Sequence, residues 1–469
     1  MHLNPLKRAV LPEPPKSVWK LLGPSFILLG LGLGTGELIL WPFLVSNWGL
    51  GIMWGAVLGI TIQYFLNMEI ERYTLVNGES IFVGFARIFK WLPFWFVMST
   101  VIAWSWPAFA AASSAIFSQF GFEHTQYIGI AMLVLVGLIL TLGPVLYKTV
   151  ESVEKVLIFI AIPTIIIVAL LVIDFYHIRS LLWGLIGVGD GFYFVPVNHS
   201  SGKIFPYMAF LAAFAYSGAG GNLLLAQSFY VKEKGYAMGK YAGKITSLIT
   251  GKAEAIELEG TTYNVTDDEV RKFKQWWKVA SLEHLIVFWG LGLLTMLLLG
   301  TIAYASVYGK AGNAEGINFV FNQANVINQS TGGILGTALL IITSLMLFST
   351  QLTVIDGAGR IISENVALIT KDKLNPKKVP YIYYTAIWII LGFGILMFLI
   401  GVKEPQFLIV TGAVINAVCM TVFAGLLNRT NNRLLHPSAQ ASDFRKAIIT
   451  LIFVLLCIFT SLVLIDRIF

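Results

Sequence analysis

Charge is scarce in this chain of 469 residues: Asp, Glu, Lys and Arg make up 12% of it, about half the share in an ordinary soluble protein. Apolar residues reach 57% and the mean hydropathy is +0.77. Several soluble domains of that make-up could not cover their surfaces with polar groups, so the apolar excess must face lipid. Cysteine is rarer still. Cys419 and Cys457 both sit inside apolar runs, which excludes a disulfide framework and a cysteine-based metal site. The net charge of +7 is spread over short loops rather than gathered into one stripe, which argues against a nucleic-acid partner. Residues 1–20 are basic and proline-rich, and the apolar segment after them is longer than a signal-peptide core, so no cleavage is expected there.

What is present is a series of apolar runs. Runs of about 20 residues, long enough to cross about 30 Å of hydrocarbon, fall near 21–46, 49–75, 91–119, 126–147, 154–173, 204–231, 279–306, 332–362, 381–401, 405–427 and 445–466. The chain thus reads as an all-α polytopic membrane protein with about 11 transmembrane helices. Of its 32 basic residues, 27 fall on the N-terminal side of alternate spans and 5 on the other. The positive-inside rule then predicts a cytoplasmic N-terminus and an extracytoplasmic C-terminus in a plasma or inner membrane. Residues 232–278 form a long inner connector. Within it Ala253–Val265 alternates like a β-hairpin about Glu259-Gly260, and Thr266-Asp267-Asp268-Glu269 reads as a capping box opening a helix through Trp276-Trp277. Asn198-His199-Ser200, in the outer loop, is a glycosylation sequon.

Glycine clusters in the middle of two spans. Span one contains Gly30-Leu31-Gly32-Leu33-Gly34-Thr35-Gly36-Glu37 and span six Ser217-Gly218-Ala219-Gly220-Gly221-Asn222. Gly34 and Gly218 lie 13 and 14 residues beyond the starts of their spans. Matched interruptions in the first helix of each five-span half predict an inverted-repeat transporter with its site near the bilayer midplane; close Gly-xxx-Gly helix packing is the competing explanation. The domains then read as a tail (1–20), a first repeat (21–175), an outer loop (176–203), a second repeat carrying the connector (204–427), and a linker with helix eleven (428–469).

Glu37 sharpens this. A charge at membrane depth costs at least about 2.5–3.5 kcal/mol on insertion scales and is kept where it faces a cavity or a partner. Asp356 in span eight is the second deep acid, read either as the i,i+4 partner of Arg360 or as an outer-shell or gating acid. Glu69, Glu71 and Glu283 fall near span ends and read as interfacial, and His284 as a helix-end residue.

At these positions the sequence resembles a known family. Gly23-Pro24-Ser25-Phe26, Gly34–Glu37, Gln63, Val76-Asn77-Gly78-Glu79, Asn222-Leu223, Leu427-Asn428-Arg429 and Asn432-Arg433 are similar in order and spacing to the natural resistance-associated macrophage protein (NRAMP) family of divalent-metal transporters, over residues 21–433. The resemblance implies a leucine-transporter-like 5+5 inverted repeat, with helices one and six broken mid-membrane and alternating access around them. The sequence departs from the family at the chemistry. Where the family carries Asp-Pro-Gly-Asn this chain has Gly34-Thr35-Gly36-Glu37, and where it carries Met-Pro-His-Asn this chain has Ala219-Gly220-Gly221-Asn222. Losing the thioether and the histidine leaves oxygen donors, which suit a hard cation such as Mg²⁺ rather than the family's usual manganese or iron. Span three has no Asp, Glu or His and span six no His, so the family's proton route is missing.

The resulting expectation is a transporter of divalent cations, needing no cofactor. Glu37 serves as the charged ligand, the Gly34 carbonyl, Thr35 and Asn222 complete the metal set, and Ser217 and Asp356 contribute to substrate binding. The alternative is an amino acid or other small organic solute on the same fold, because opened helix ends favour a carboxylate. An enzyme is not expected: Gly187-Val188-Gly189-Asp190 has no second acid in a neighbouring span, and Ser217 lacks the Gly-x-Ser-x-Gly frame.

Overall fold

The computed structural model describes residues 3–189, 206–247, 249, 257–314, 316–371 and 378–468. Among these, ten helices are long and apolar enough to cross a membrane: Pro24–Trp48, Leu50–Asn77, Leu92–Phe120, Thr125–Leu142, Leu146–Val172, Asp267–Val307, Leu335–Ile369, Val379–Leu399, Pro405–Leu434 and Asp443–Leu462. They correspond to spans one to five and seven to eleven. Span six is absent from that series because it is built in pieces: a helix Tyr207–Ala215, a non-helical stretch 216–220, a tight turn Gly221–Ala226 and a second helix Gln227–Lys234. Gly220 and Gly221 take left-handed backbone (φ 70° and 52°), which glycine adopts without a Cβ penalty. Many outward residues are large and apolar, as Leu170, Ile389 and Phe159 are, and they form the surface offered to lipid.

Span eight is the central post, packing against spans one, three, five and nine. The interruption of span one takes a different form from that of span six. Residues Leu33–Leu40 widen from α to π geometry between the α-helical Pro24–Gly32 and Trp41–Trp48, with the Trp41 amide donating to the Gly36 carbonyl five residues back. Span seven carries a second π segment, Leu285–Leu291. Such wide turns are rare and recur at functional sites.

The connector differs from its expected hairpin. Ala253–Ile256 lie outside the described residues, and Thr261–Thr262 pair in parallel with Lys7–Arg8 of the N-terminal tail. The Val76-Asn77-Gly78-Glu79 motif holds this connector in place: Glu79 accepts from the Gly260 amide (3.0 Å) and from Arg87 (2.9 Å). Thr266 caps the helix by accepting from the Glu269 amide, but Glu269 turns to the Leu11 amide instead (3.1 Å), so half of the capping box forms. The sequon 198–200 and Asp190 lie outside the described residues. A short helix, Phe175–Leu185, occupies the start of the outer loop.

Candidate functional site

Alternate glycines of span one each clear room for a different neighbour. A Cβ added at Gly30 would collide with the Glu154 carboxylate of span five, one at Gly34 with the Thr350 side chain of span eight, and one at Gly36 with the Tyr216 carbonyl of span six. A Cβ at Gly32 would lie 3.0 Å from the Gly218 Cα. Spans one and six therefore cross backbone on backbone, and the glycine clusters serve close packing and helix interruption together.

Glu37 sits at this crossing and is 1% exposed. Its carboxylate accepts from the Thr295 hydroxyl of span seven. Added Cβ atoms at Gly32 and at Gly292 would each be 3.3 Å from Glu37 Oε1, so small residues of two spans surround the acid. No basic side chain pairs with it among the described residues. Ser217, next to Gly218, accepts from the Trp41 indole (3.1 Å) and donates to the Ala213 carbonyl (3.0 Å).

Asn222 points elsewhere. Its amide donates to Ser99 (2.8 Å) and Thr100 (2.9 Å) of span three, and its Oδ1 is buried without a partner. Gly34 faces span eight, as above; the Thr35 side chain lies outside the described atoms. Asp356 is removed from Glu37 altogether. It binds Arg360 (2.9 Å), Tyr383 (2.8 Å) and Tyr230 (3.3 Å), and Arg360 in turn binds Glu233. The i,i+4 pairing with Arg360 is thus the form realised, within a buried network joining spans six, eight and nine. Glu37, Ser217 and Gly218 are brought together, whereas Asn222 and Asp356 are not. Among the described residues, no three His, Cys, Asp or Glu side chains converge as a metal cluster.

Other polar groups at the crossing were not singled out as ligands by the sequence. Gln63 of span two donates to the Ala215 carbonyl (2.9 Å) and accepts from the Gly220 amide (3.4 Å), meeting backbone groups that the interruption releases. Asn416 of span ten donates to Tyr216 Oη (3.0 Å), and its Oδ1 is buried without a partner; an amide in mid-span was the available signal. Glu154 is completely buried and accepts from Ser349 (2.7 Å) and from Thr353 (2.5 Å). It was hidden by taking span five to start at 154, when the helix begins at Leu146. The expectation for Glu69, Glu71, Glu283 and His284 is also corrected, because all four are buried within the bundle. Glu69 pairs with Arg72 (2.8 Å) and Arg445 (2.8 Å).

The architecture is that of leucine-transporter-like membrane transporters. Over 97% of this chain and 89% of the other, it superposes on a variant of the Eremococcus coleocola manganese transporter, with a TM-score of 0.68 and 12% identity. A complex of that transporter with an aromatic bis-isothiourea compound gives a TM-score of 0.66 at 13% identity, covering 98% and 89% of the two chains. MhsT in complex with L-phenylalanine gives 0.58 at 15% identity, covering 94% and 97%. The fold expected from the NRAMP resemblance is therefore the fold observed. No family model matches the sequence, and no curated protein matches it.

Proposed function

We propose that this chain is a membrane transporter of hard divalent cations, working by alternating access with Glu37 as its charged ligand. The observation that carries this reading is Glu37 itself: a buried acid with no basic partner among the described residues, at the glycine-lined crossing of spans one, six and seven. A carboxylate at membrane depth is kept where it faces a cavity or a partner, and a cation cargo supplies that partner. Ser217 and the unpartnered oxygen of Asn416 supply neutral donors on the span-six side. Oxygen donors with a single carboxylate suit a cation that keeps part of its water, as Mg²⁺ does. The similarity to a manganese transporter adds support for a metal cargo, and the loss of the thioether and the histidine at Ala219-Gly220-Gly221-Asn222 argues for Mg²⁺ over softer ions. Flux of Mg²⁺ and Mn²⁺ into proteoliposomes containing the purified chain tests this. Uptake above protein-free vesicles is expected for at least one ion; none for either defeats the reading.

A second reading has its own support. Trp104 stacks on Tyr216 (5.6 Å), Phe109 flanks the same ring (6.4 Å), and Trp41 meets Phe210 edge-on (5.8 Å). This aromatic shell would suit the side chain of an amino acid whose ammonium meets Glu37 and whose carboxylate meets the amides opened in span six. Metal-independent uptake of an L-amino acid by the same vesicles would favour it.

A further inference from the structure

Most buried acids of the bundle are ion-paired: Glu69 with Arg72, Glu79 with Arg87, Glu364 with Lys232, and Glu233 and Asp356 with Arg360. Among the described residues Glu71 and Glu283, like Glu37 and Glu154, have no such partner. Both are fully buried at the end of the bundle that carries the N-terminal strand, several turns from Glu37. Glu71 lies on span two one turn beyond Asn67, so the two side chains share a face. Its carboxylate accepts from Gln227 of span six (3.3 Å) and feels the charge of Glu283 on span seven. Glu283 accepts from the Ser25 hydroxyl and the Gly23 amide (3.4 Å) of span one.

The donors of this cluster are spent and acceptors are left over. The Asn67 amide donates to His284 Nε2 (3.1 Å), so His284 Nδ1 donates to Ser25 Oγ (2.8 Å), whose own hydrogen goes to Glu283. With both ring nitrogens engaged, His284 orients its neighbours. Asn67 Oδ1, Glu71 Oε1 and Gln227 Oε1 are buried without a hydrogen-bond partner. Lys234, whose charge reaches Glu283, is held by Glu151 (2.6 Å) and the Leu22 carbonyl (3.3 Å), so it offsets the two carboxylates only in part. Buried acceptors with no donor to meet them, beside two carboxylates, define an environment complementary to a cation.

We propose that Asn67, Glu71, Gln227 and Glu283 form a second site for a hard divalent cation, between Glu37 and the face carrying the N-terminal strand. The proposal rests on the cation reading of the chain. An ion held there bonds spans two, six and seven together and, through Ser25, fixes the adjoining half of span one, so its release accompanies the opening of that face. Counting bound Mn²⁺ on the full chain in detergent by electron paramagnetic resonance tests it. The wild type is expected to bind two ions, E37Q to keep the second, and E71Q/E283Q to keep the first. If E71Q/E283Q binds as the wild type does, or the wild type takes up fewer than two ions, the second site is refuted. If E37Q keeps both ions while E71Q/E283Q loses one, the assignment of Glu37 fails and the second site stands. Should the double variant not yield folded protein, Asn67→Ala carries the same test: a weakened second ion supports the site and unchanged binding overturns it.

Discussion

Replacing Glu37 by glutamine separates a cation ligand from a structural carboxylate, because the two roles predict opposite signs. The side chain keeps its shape and an oxygen that can still accept from Thr295, so the crossing of spans one, six and seven should persist. What is lost is one negative charge at 1% exposure. Two unit charges 4 Å apart are worth about 4 kcal/mol at an effective dielectric constant near 20, and a divalent cation doubles this. If roughly half is surrendered to dehydration of the ion, about 4 kcal/mol remains, or on the order of a thousandfold in Kd. Thermal unfolding in detergent reads the same quantity. At a cation concentration about 100 times its Kd, the Glu37 site gives the wild type about 2.7 kcal/mol from binding, and E37Q should lose that contribution while keeping what the second site supplies. Without cation, E37Q should unfold no earlier than the wild type, since it no longer buries an unpaired acid. The reasoning is refuted if titration calorimetry finds the same affinity for both proteins, or if E37Q is less stable without cation.

Gly36→Ala drives a Cβ into the Tyr216 carbonyl; two backbones cannot rotate aside, and overpacking of this kind costs about 1–3 kcal/mol, so a lower unfolding midpoint and impaired flux are expected. Gly392→Ala in span nine has nothing within 4 Å of the new atom and should be neutral or stabilising by up to about 1 kcal/mol; equal effects at the two positions would defeat the packing argument. Asp356→Asn breaks a buried ion pair, and with Arg360 still bound to Glu233 the loss should be near the lower end of about 3–5 kcal/mol, measured as a drop in midpoint that E37Q does not show. In the connector, burial and then the Glu269 carboxylate push the Tyr263 phenol up to about 12. The stability this contributes is full below the unfolded phenol's value of about 10 and is lost as pH rises towards 12, so the phenolate absorbance that Tyr263→Phe removes should be a component titrating near 12 rather than 10.

Span number and placement were legible because hydrocarbon thickness sets helix length and apolar runs report it directly. The paired glycine clusters marked the crossing of spans one and six for a similarly local reason: only glycine permits that approach. Glu154 and Asn416 were missed because their meaning depends on which helix face they occupy, and the span-five boundary was set too late to see Glu154 as internal. Glu71 and Glu283 were assigned to the interface by counting residues from span ends. The helix of span seven begins at Asp267, well before its apolar stretch, and neighbouring spans bury both acids.

The sequence by itself determined that the chain spans a membrane, where its helices lie, that two of them are interrupted at matched depth, and that Glu37 stands at one interruption. These follow from composition, length and backbone stereochemistry, which are local properties. Tertiary structure alone decided which polar groups meet. It turned Asn222 towards span three, added Tyr230 and Tyr383 to the Asp356–Arg360 pair that i,i+4 spacing already offered, set Thr295 on Glu37, and gathered Asn67, Glu71, Gln227 and Glu283 from three spans. Partners on different spans are chosen by helix rotation and crossing, and no local pattern encodes either.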